Sequence, residues 1–254
     1  VILNRVPISA RPISVPTMLE FIAARRSASF LQTPAWARVK SEWRGERIGF
    51  YDGDELTGVG LILYRKLPKL PRYLAYLPEG PVLDWSRDDI DEHFDALVAH
   101  VKKRQAFAVR VGPAVVHRMW GTKTIKTAIA DDNVTSLTEV APDAITPEGE
   151  RVVSVLKRGG WITDNTGQGF AAGQPQFNFQ LSLRHEDGTQ KSEDELLKGM
   201  NQLWRRNIKK AAKLGVEVKL GTREDLARFH QVYLETAKRD GFTGRPLEYF
   251  EHMW

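Results

Sequence analysis

The chain has 254 residues, room for one large domain or two of ordinary size. A hydrophobic fraction of 42% beside a charged fraction of 27% excludes wholesale disorder, and the lack of cysteine excludes disulfides and thiolate metal sites. A net charge of +5 and a pI near 9.4 favour an anionic partner (nucleic acid, phosphate or acidic lipid) without choosing among them.

The opening stretch, VILNRVPISARPISVP, has neither the apolar run nor the small-residue cleavage site of a secretory leader. No run approaches the ~18 apolar residues of a membrane span, so a cytoplasmic location is expected, with access to a membrane surface left open. The first helix is expected from Thr17 to about Ser29. A second opens with Thr33 as N-cap and Pro34 at its first position, then runs through Ala35, Trp36, Ala37, Arg38, Val39 and Lys40. Alternation over 47–51, an Asp52-Gly53 turn and the stretch 58–64 predict an antiparallel hairpin. A strand over 73–77, a helix over 88–105, a short buried strand over 107–111 and a helix from Thr146-Pro147 to Gly159-Gly160 follow. Gly167, Gly169, Gly173 and Pro175 mark the best boundary between two units, and 177–183 is strand-like.

In the last third, Ser192-x-x-Glu195 reads as a capping box opening one helix that runs to Leu214 and stops at Gly215. Its apolar stripe, Leu196, Leu197, Met200, Leu203, Trp204 and Ile208, is expected to be buried. A strand over 216–220, a helix capped by Thr222 and ending near Gly241, and a last helix from Pro246 complete the reading. That helix reaches Trp254 after barely two turns while still amphipathic, which predicts that its domain is incomplete here. Mixed helices and strands with an early hairpin argue for an α/β or α+β fold, not a doubly wound dinucleotide fold.

The sequence carries no phosphate-binding P-loop, no H-E-x-x-H and no G-x-S-x-G. The six histidines, His93, His100, His117, His185, His230 and His252, lack metal-ligand spacing, so no metal site is expected. Gly58-x-Gly60 lies within a strand, which argues against a Rossmann loop, and no loop suited to the pyrophosphate of acetyl-coenzyme A is present. Arg205, Arg206, Lys209, Lys210 and Lys213 cluster near a helix C-terminus. They serve either as a solvated face suited to the helix dipole or as a phosphate-tracking patch for RNA or an anionic membrane. Lys40 ends its helix, where a lysine serves as a surface cation covering the helix end or reaches into a cleft. Arg245, between Gly244 and Pro246, stands just before a helix N-terminus, where a guanidinium and free backbone N–H groups suit a phosphate.

Gln32-Thr33-Pro34-Ala35-Trp36-Ala37-x-Val39-Lys40 resembles the Q-[ST]-x-x-W-[AG]-x-V-K signature of the Fem family, the FemABX-type peptidoglycan bridge transferases. Tyr76-Leu77-Pro78-Glu79-Gly80-Pro81-Val82 resembles that family's Y-x-x-x-G-P-V turn, and Gln174-Pro175-Gln176-Phe177-Asn178 the entry to its second domain. Asn207-Ile208-Lys209-Lys210-Ala211 through Gly215-Val216-Glu217-Val218 is similar to its basic helix and following strand. Arg239-Asp240-Gly241-Phe242-x-x-Arg245-Pro246-x-x-Tyr249-Phe250 is similar to its R-x-G-x-x-x-R-x-x-x-[YF]-[YF] block. The five matches keep their order over nearly the whole chain.

The resemblance implies two tandem GNAT-like acyltransferase domains, 1–173 and 174–254, the second incomplete. It implies a non-ribosomal aminoacyltransferase that moves an amino acid such as Gly, Ala or Ser from aminoacyl-tRNA to the stem peptide of a UDP-linked or lipid-linked muropeptide. Such an enzyme works without a cofactor, in the cytoplasm or at the inner face of the membrane. By position, Lys40 and Arg245 correspond to cations that hold the precursor's diphosphate, and Tyr249 to an aromatic in the same pocket. The sequence departs from the pattern at Gly112, where some members carry an Asp, and at Phe107, where some carry a Tyr. A protein general base there is therefore not expected. The lysine that fits the role of oxyanion donor in the family would fall beyond Trp254, so the chain is expected to bind precursor without completing catalysis. Two other readings stay open: an acetyl-coenzyme A-dependent N-acyltransferase of the same fold, and a non-catalytic RNA- or membrane-binding module using the Arg205–Lys213 face.

Overall fold

The computed structural model describes residues 6–25, 27–163 and 174–254. It forms two compact units, Val1–Gln174 and Pro175–Trp254.

The first unit is a twisted sheet with helices on both faces. Its strands are β1 (Ser9–Pro12), β2 (Arg44–Asp52), β3 (Glu55–Lys66), β4 (Tyr73–Leu77), β5 (Val82–Leu83) and β6 (Ala106–Val111), in the order β1-β2-β3-β4-β6 with β5 also on β3. The expected hairpin is β2 and β3, and it extends beyond its predicted ends. Asp52 pairs Glu55, so the turn residues are Gly53 and Asp54, and Gly53 takes the φ of +59° that a side chain would disfavour. Alternate side chains of β3 go to opposite faces. Ile62 and Tyr64 enter a core with Ile48, Phe50, Ala75, Leu77 and the residues Phe94, Leu97 and Val101 of helix α3 (Ile90–Lys103). Leu61 and Leu63, also buried, face the side where α1 (Val15–Ala23) and α2 (Pro34–Val39) contact β2 and β3.

The first helix is shorter than its sequence predicts. Ser14 caps it, accepting from Thr17 N at 3.2 Å, and it ends at Ala23. Ser29 is not its last residue but the cap of a 3-10 turn over Phe30–Gln32, a role that short hydroxyl side chains favour over helix interiors. Strand β6 corrects a second expectation. It is the outer strand, parallel to β4, and Phe107 is 52% exposed, because it is the extra residue where the register shifts between the pairs Tyr73–Ala106 and Leu74–Ala108, and so falls out of the alternation that brings Val109 and Val111 to the core. A small ladder joins β7 (Arg118–Met119) to β8 (Ala144–Ile145), with α4 (Thr122–Ile129) between them. Thr146 caps α5 (Pro147–Arg158) as the sequence predicts, its hydroxyl accepting from Gly149 N at 3.1 Å.

In the second unit the capping box of Ser192 and Glu195 forms, but the helix it opens, α6 (Glu193–Gly199), stops early. A new helix, α7 (Gln202–Lys213), starts with Asn201 as N-cap, its side chain accepting from Trp204 N at 2.9 Å. An asparagine able to cap splits what the apolar periodicity reads as one helix. The expected stripe is not buried: Leu203 is 53%, Trp204 61% and Ile208 40% exposed. Neither 177–183 nor 216–220 is a strand, since a strand needs a ladder and the described residues of this unit supply only an isolated bridge, Arg184 with Gln190. Thr222 and Asp225 form a capping box that leads into α8 (Leu226–Asp240), and Gly241 ends it at φ +72°. The last helix is α9 (Leu247–Met253), directly after Pro246. Gly167, Gly169 and Gly173, where the sequence suggests a boundary, lie outside the described residues.

Candidate anion-binding site

Lys40 is fixed by the packing of the short helix that precedes it. Gln32 is fully buried: its amide donates to Pro78 O at 2.7 Å and its carbonyl accepts from Leu61 N at 2.8 Å. Pro34, Trp36 and Val39 are buried from α2, and Trp36 meets Phe30 edge-on at 5.4 Å. Lys40 then closes the helix with its N–H on Trp36 O. Its ammonium sits 5.4 Å from the Trp36 ring centre and 3.8 Å from a Glu42 oxygen, with the side chain 15% accessible. The result is a cation held by an aromatic wall at a helix end.

The two N-terminal signatures meet in space. A Cβ on Gly80 would collide with the Gln32 carboxamide, so the glycine of the 76–82 turn makes room for the glutamine of the 32–40 segment. Both segments are evident in the sequence but their contact is not; a polar residue before a helix, with no exposed role, is the available signal. A Cβ on Gly112 would likewise collide with the side chain of Gln174, so an aspartate there would require Gln174 to move.

Beyond Lys40 the same unit carries further cations among aromatic rings. Trp43, whose N–H donates to Lys40 O at 2.9 Å, lies 6.2 Å from the Tyr76 ring, centre to centre. Arg65 is 5.7 Å from the Trp43 ring and Arg110 5.8 Å from the Tyr76 ring. Burial raises the Tyr76 phenol pKa; nearby Arg110 opposes the rise and Glu79 adds to it.

In the second unit Arg245 and Tyr249 come together, with the guanidinium 5.4 Å from the ring centre. Their loop is tied to α8: Arg245 N–H donates to the Tyr233 hydroxyl at 3.0 Å, and Arg245 O lies 2.8 Å from His230 Nε2. Phe229, Tyr233 and Phe250 pack ring against ring beneath it. The five cations Arg205, Arg206, Lys209, Lys210 and Lys213 fall on one arc of α7, roughly 140° wide at 3.6 residues per turn, opposite Trp204, Ile208 and Ala211.

One arrangement mimics a catalytic triad. His93 Nε2 is 2.9 Å from the Thr57 hydroxyl, and its Nδ1 is 2.8 Å from Asp89 O and 3.5 Å from an Asp89 carboxylate oxygen. His93 is 1% and Thr57 4% exposed, and the Thr57 hydroxyl also lies 3.2 Å from Phe50 O, so no acyl group can reach it. Burial lowers the His93 pKa, and the group ties α3 to the hairpin. No cluster suited to a metal ion occurs among the described residues.

A mixed α/β sheet with helices on both faces defines the class as an α/β protein, and its cations backed by aromatic rings are candidate anion sites. A FemAB family model matches residues 13–254, and the chain belongs to the FemAB family. It is 25% identical over 236 residues to a lipid II:glycine glycyltransferase of Staphylococcus epidermidis, covering 92% of this chain and 49% of that protein. To one of Staphylococcus aureus it is 26% identical over 237 residues, covering 92% and 48%. The chain thus spans about half the length of the curated relatives it matches. The crystal structure of FemX has the same fold, with a TM-score of 0.65 and 24% identity over 96% of this chain and 54% of that one.

Proposed function

We propose that this chain is the precursor-binding part of an aminoacyltransferase of peptidoglycan bridge formation. The observation that carries the proposal is the family match over residues 13–254, which includes the segments holding both Lys40 and Arg245. The two relatives described above, named for lipid II and glycine, support a lipid-linked muropeptide as acceptor.

In this reading the chain comprises two GNAT-like domains, 1–173 and 174–254. Lys40 of the first unit and Arg245 of the second are each assigned to binding the precursor's phosphates, the lysine as a point charge and the arginine as a fork. Tyr249 packs beside the guanidinium and orients it. The acceptor amine of the stem peptide attacks the ester carbonyl of an aminoacyl-tRNA. The carbon–oxygen ester bond breaks, the amide forms, and the amine proton leaves with the ribose hydroxyl. Gly, Ala or Ser is the transferred residue, and the reaction takes place at the cytoplasmic face of the membrane. No helix among the described residues is long and apolar enough to cross that membrane. The cationic arc of α7 serves the tRNA.

The test is calorimetry with a UDP-linked muropeptide, followed by incubation of the whole protein with charged tRNA and precursor and weighing of the product. Lys40→Ala and Arg245→Ala are each expected to weaken precursor binding by about tenfold or more, the worth of a charge-assisted hydrogen bond, with the fold intact. Unchanged affinity in both variants overturns the site assignment.

A further inference from the structure

Next to Lys40, on the sheet face shared by Leu63 and Tyr76, lies a strip of two arginines and two rings. Arg65, Trp43, Tyr76 and Arg110 follow one another, with successive separations of 5.7, 6.2 and 5.8 Å between guanidinium carbon and ring centre, ring and ring, ring and guanidinium carbon. Each arginine is rooted in a strand: Arg65 opposite Leu74 on β3, and Arg110 opposite Tyr76 on β6. Strands in one sheet hold side chains in fixed relation, which suits a built recognition site better than loops do.

Two strand spacings of about 4.8 Å and two residues along a strand put the arginine Cα atoms roughly 12 Å apart. Arginine side chains from positions this far apart reach either one anion between them or two separate ones, and the rings that lie between the guanidinium groups favour two. Two carboxylates three to four residues apart on an extended peptide match the distance, at about 3.3 Å per residue. The rings between them offer apolar walls for the intervening peptide, and each arginine fork suits a carboxylate. Nucleobases fit less well. The two rings are inclined at 49° and each already carries a guanidinium, which leaves no parallel slot between them.

We infer that the Trp43–Tyr76 strip is a peptide subsite in which Arg65 and Arg110 bind two carboxylates of an extended acidic peptide. This deepens the proposed function and rests on it, since the acidic peptide is then the stem peptide of the muropeptide whose diphosphate Lys40 holds.

Two UDP-linked muropeptides serve as probes, one with free side-chain and terminal carboxylates and one with them amidated. Arg65→Gln and Arg110→Gln are each expected to lower affinity for the free acid about tenfold and to leave the amidated probe unchanged. Arg110→Lys, which keeps the charge of the half-buried position, is expected to recover part of the loss, with unchanged melting temperature as the check on folding. An equal loss for both probes, or none for the free acid, overturns the subsite, as does a loss confined to an RNA minihelix. If the unsubstituted chain binds neither muropeptide, the proposed function falls and the subsite with it. If it binds both and the arginine variants do not discriminate, only the subsite falls.

Discussion

The carboxylate of Glu46 on β2 is gripped by the guanidinium of Arg104, which follows α3, through bonds of 2.7 Å from Nη2 and 3.1 Å from Nε. The Tyr64 hydroxyl donates to the same carboxylate at 2.8 Å, and His100 Nε2 lies 3.3 Å from it. This cluster ties the back of the sheet to its covering helix, on the side of the core.

The cluster predicts a specific acid lability. Burial alone would raise the Glu46 pKa, but nearby His100 and hydrogen bonds from Arg104 and Tyr64 outweigh it and hold the group at about 2. A folded-state pKa below the unfolded value of about 4.3 contributes stability that is fully present above that value and lost as pH falls toward 2. Urea denaturation should show the unfolding free energy falling across this window. Glu46→Gln should flatten the fall and cost about 1–3 kcal/mol near neutrality. An equally steep pH profile in the variant would remove Glu46 as its cause.

A second prediction concerns the joint between the two N-terminal signatures. Gly80→Ala places a methyl group against the Gln32 carboxamide and should destabilise by about 1–3 kcal/mol through overpacking. Gln32→Ala removes that obstacle but leaves Leu61 N–H and Pro78 O without their partner. The double variant should therefore be less destabilised than the sum of the singles. A coupling energy below about 0.5 kcal/mol, measured by thermal or urea unfolding, would show that the two residues do not constrain each other.

How far the sequence carries is visible in the contrast between units. In the first, the hairpin, β4, α2 and α5 follow from period-2 alternation, Pro34 after Thr33 and the Thr146 cap, because local signals and burial agree there. The buried polar joint of Gln32 and the sealed His93–Thr57 pair were not legible, since side chains from distant segments meet only after folding. In the second unit, the stretches 177–183 and 216–220 have strand composition but no ladder, and the stripe of α7 has helical period but no cover. Periodicity reports a capacity for burial, and the fold decides whether a partner surface meets it. Among site residues, the pairing of Arg245 with Tyr249 follows from their spacing across a helix start, whereas Arg65 and Arg110 are recognised only from strand register.

The last prediction addresses the cationic arc of α7. Lys209, Lys210 and Lys213 are exposed and lie on the same side of the helix, away from Trp204 and Ile208. If the arc tracks phosphates, binding of a single-stranded RNA should weaken with salt, each contact adding about 0.7 to the slope of log affinity against log salt. Replacing all three lysines by Gln should lower that slope by about 2. It should leave muropeptide binding at Lys40 and Arg245 unaltered, because Gln keeps helix propensity and removes only charge. A slope that does not change, measured from 50 to 300 mM salt on the order of the usual working range, would return these lysines to the role of a solvated face favoured by the helix dipole.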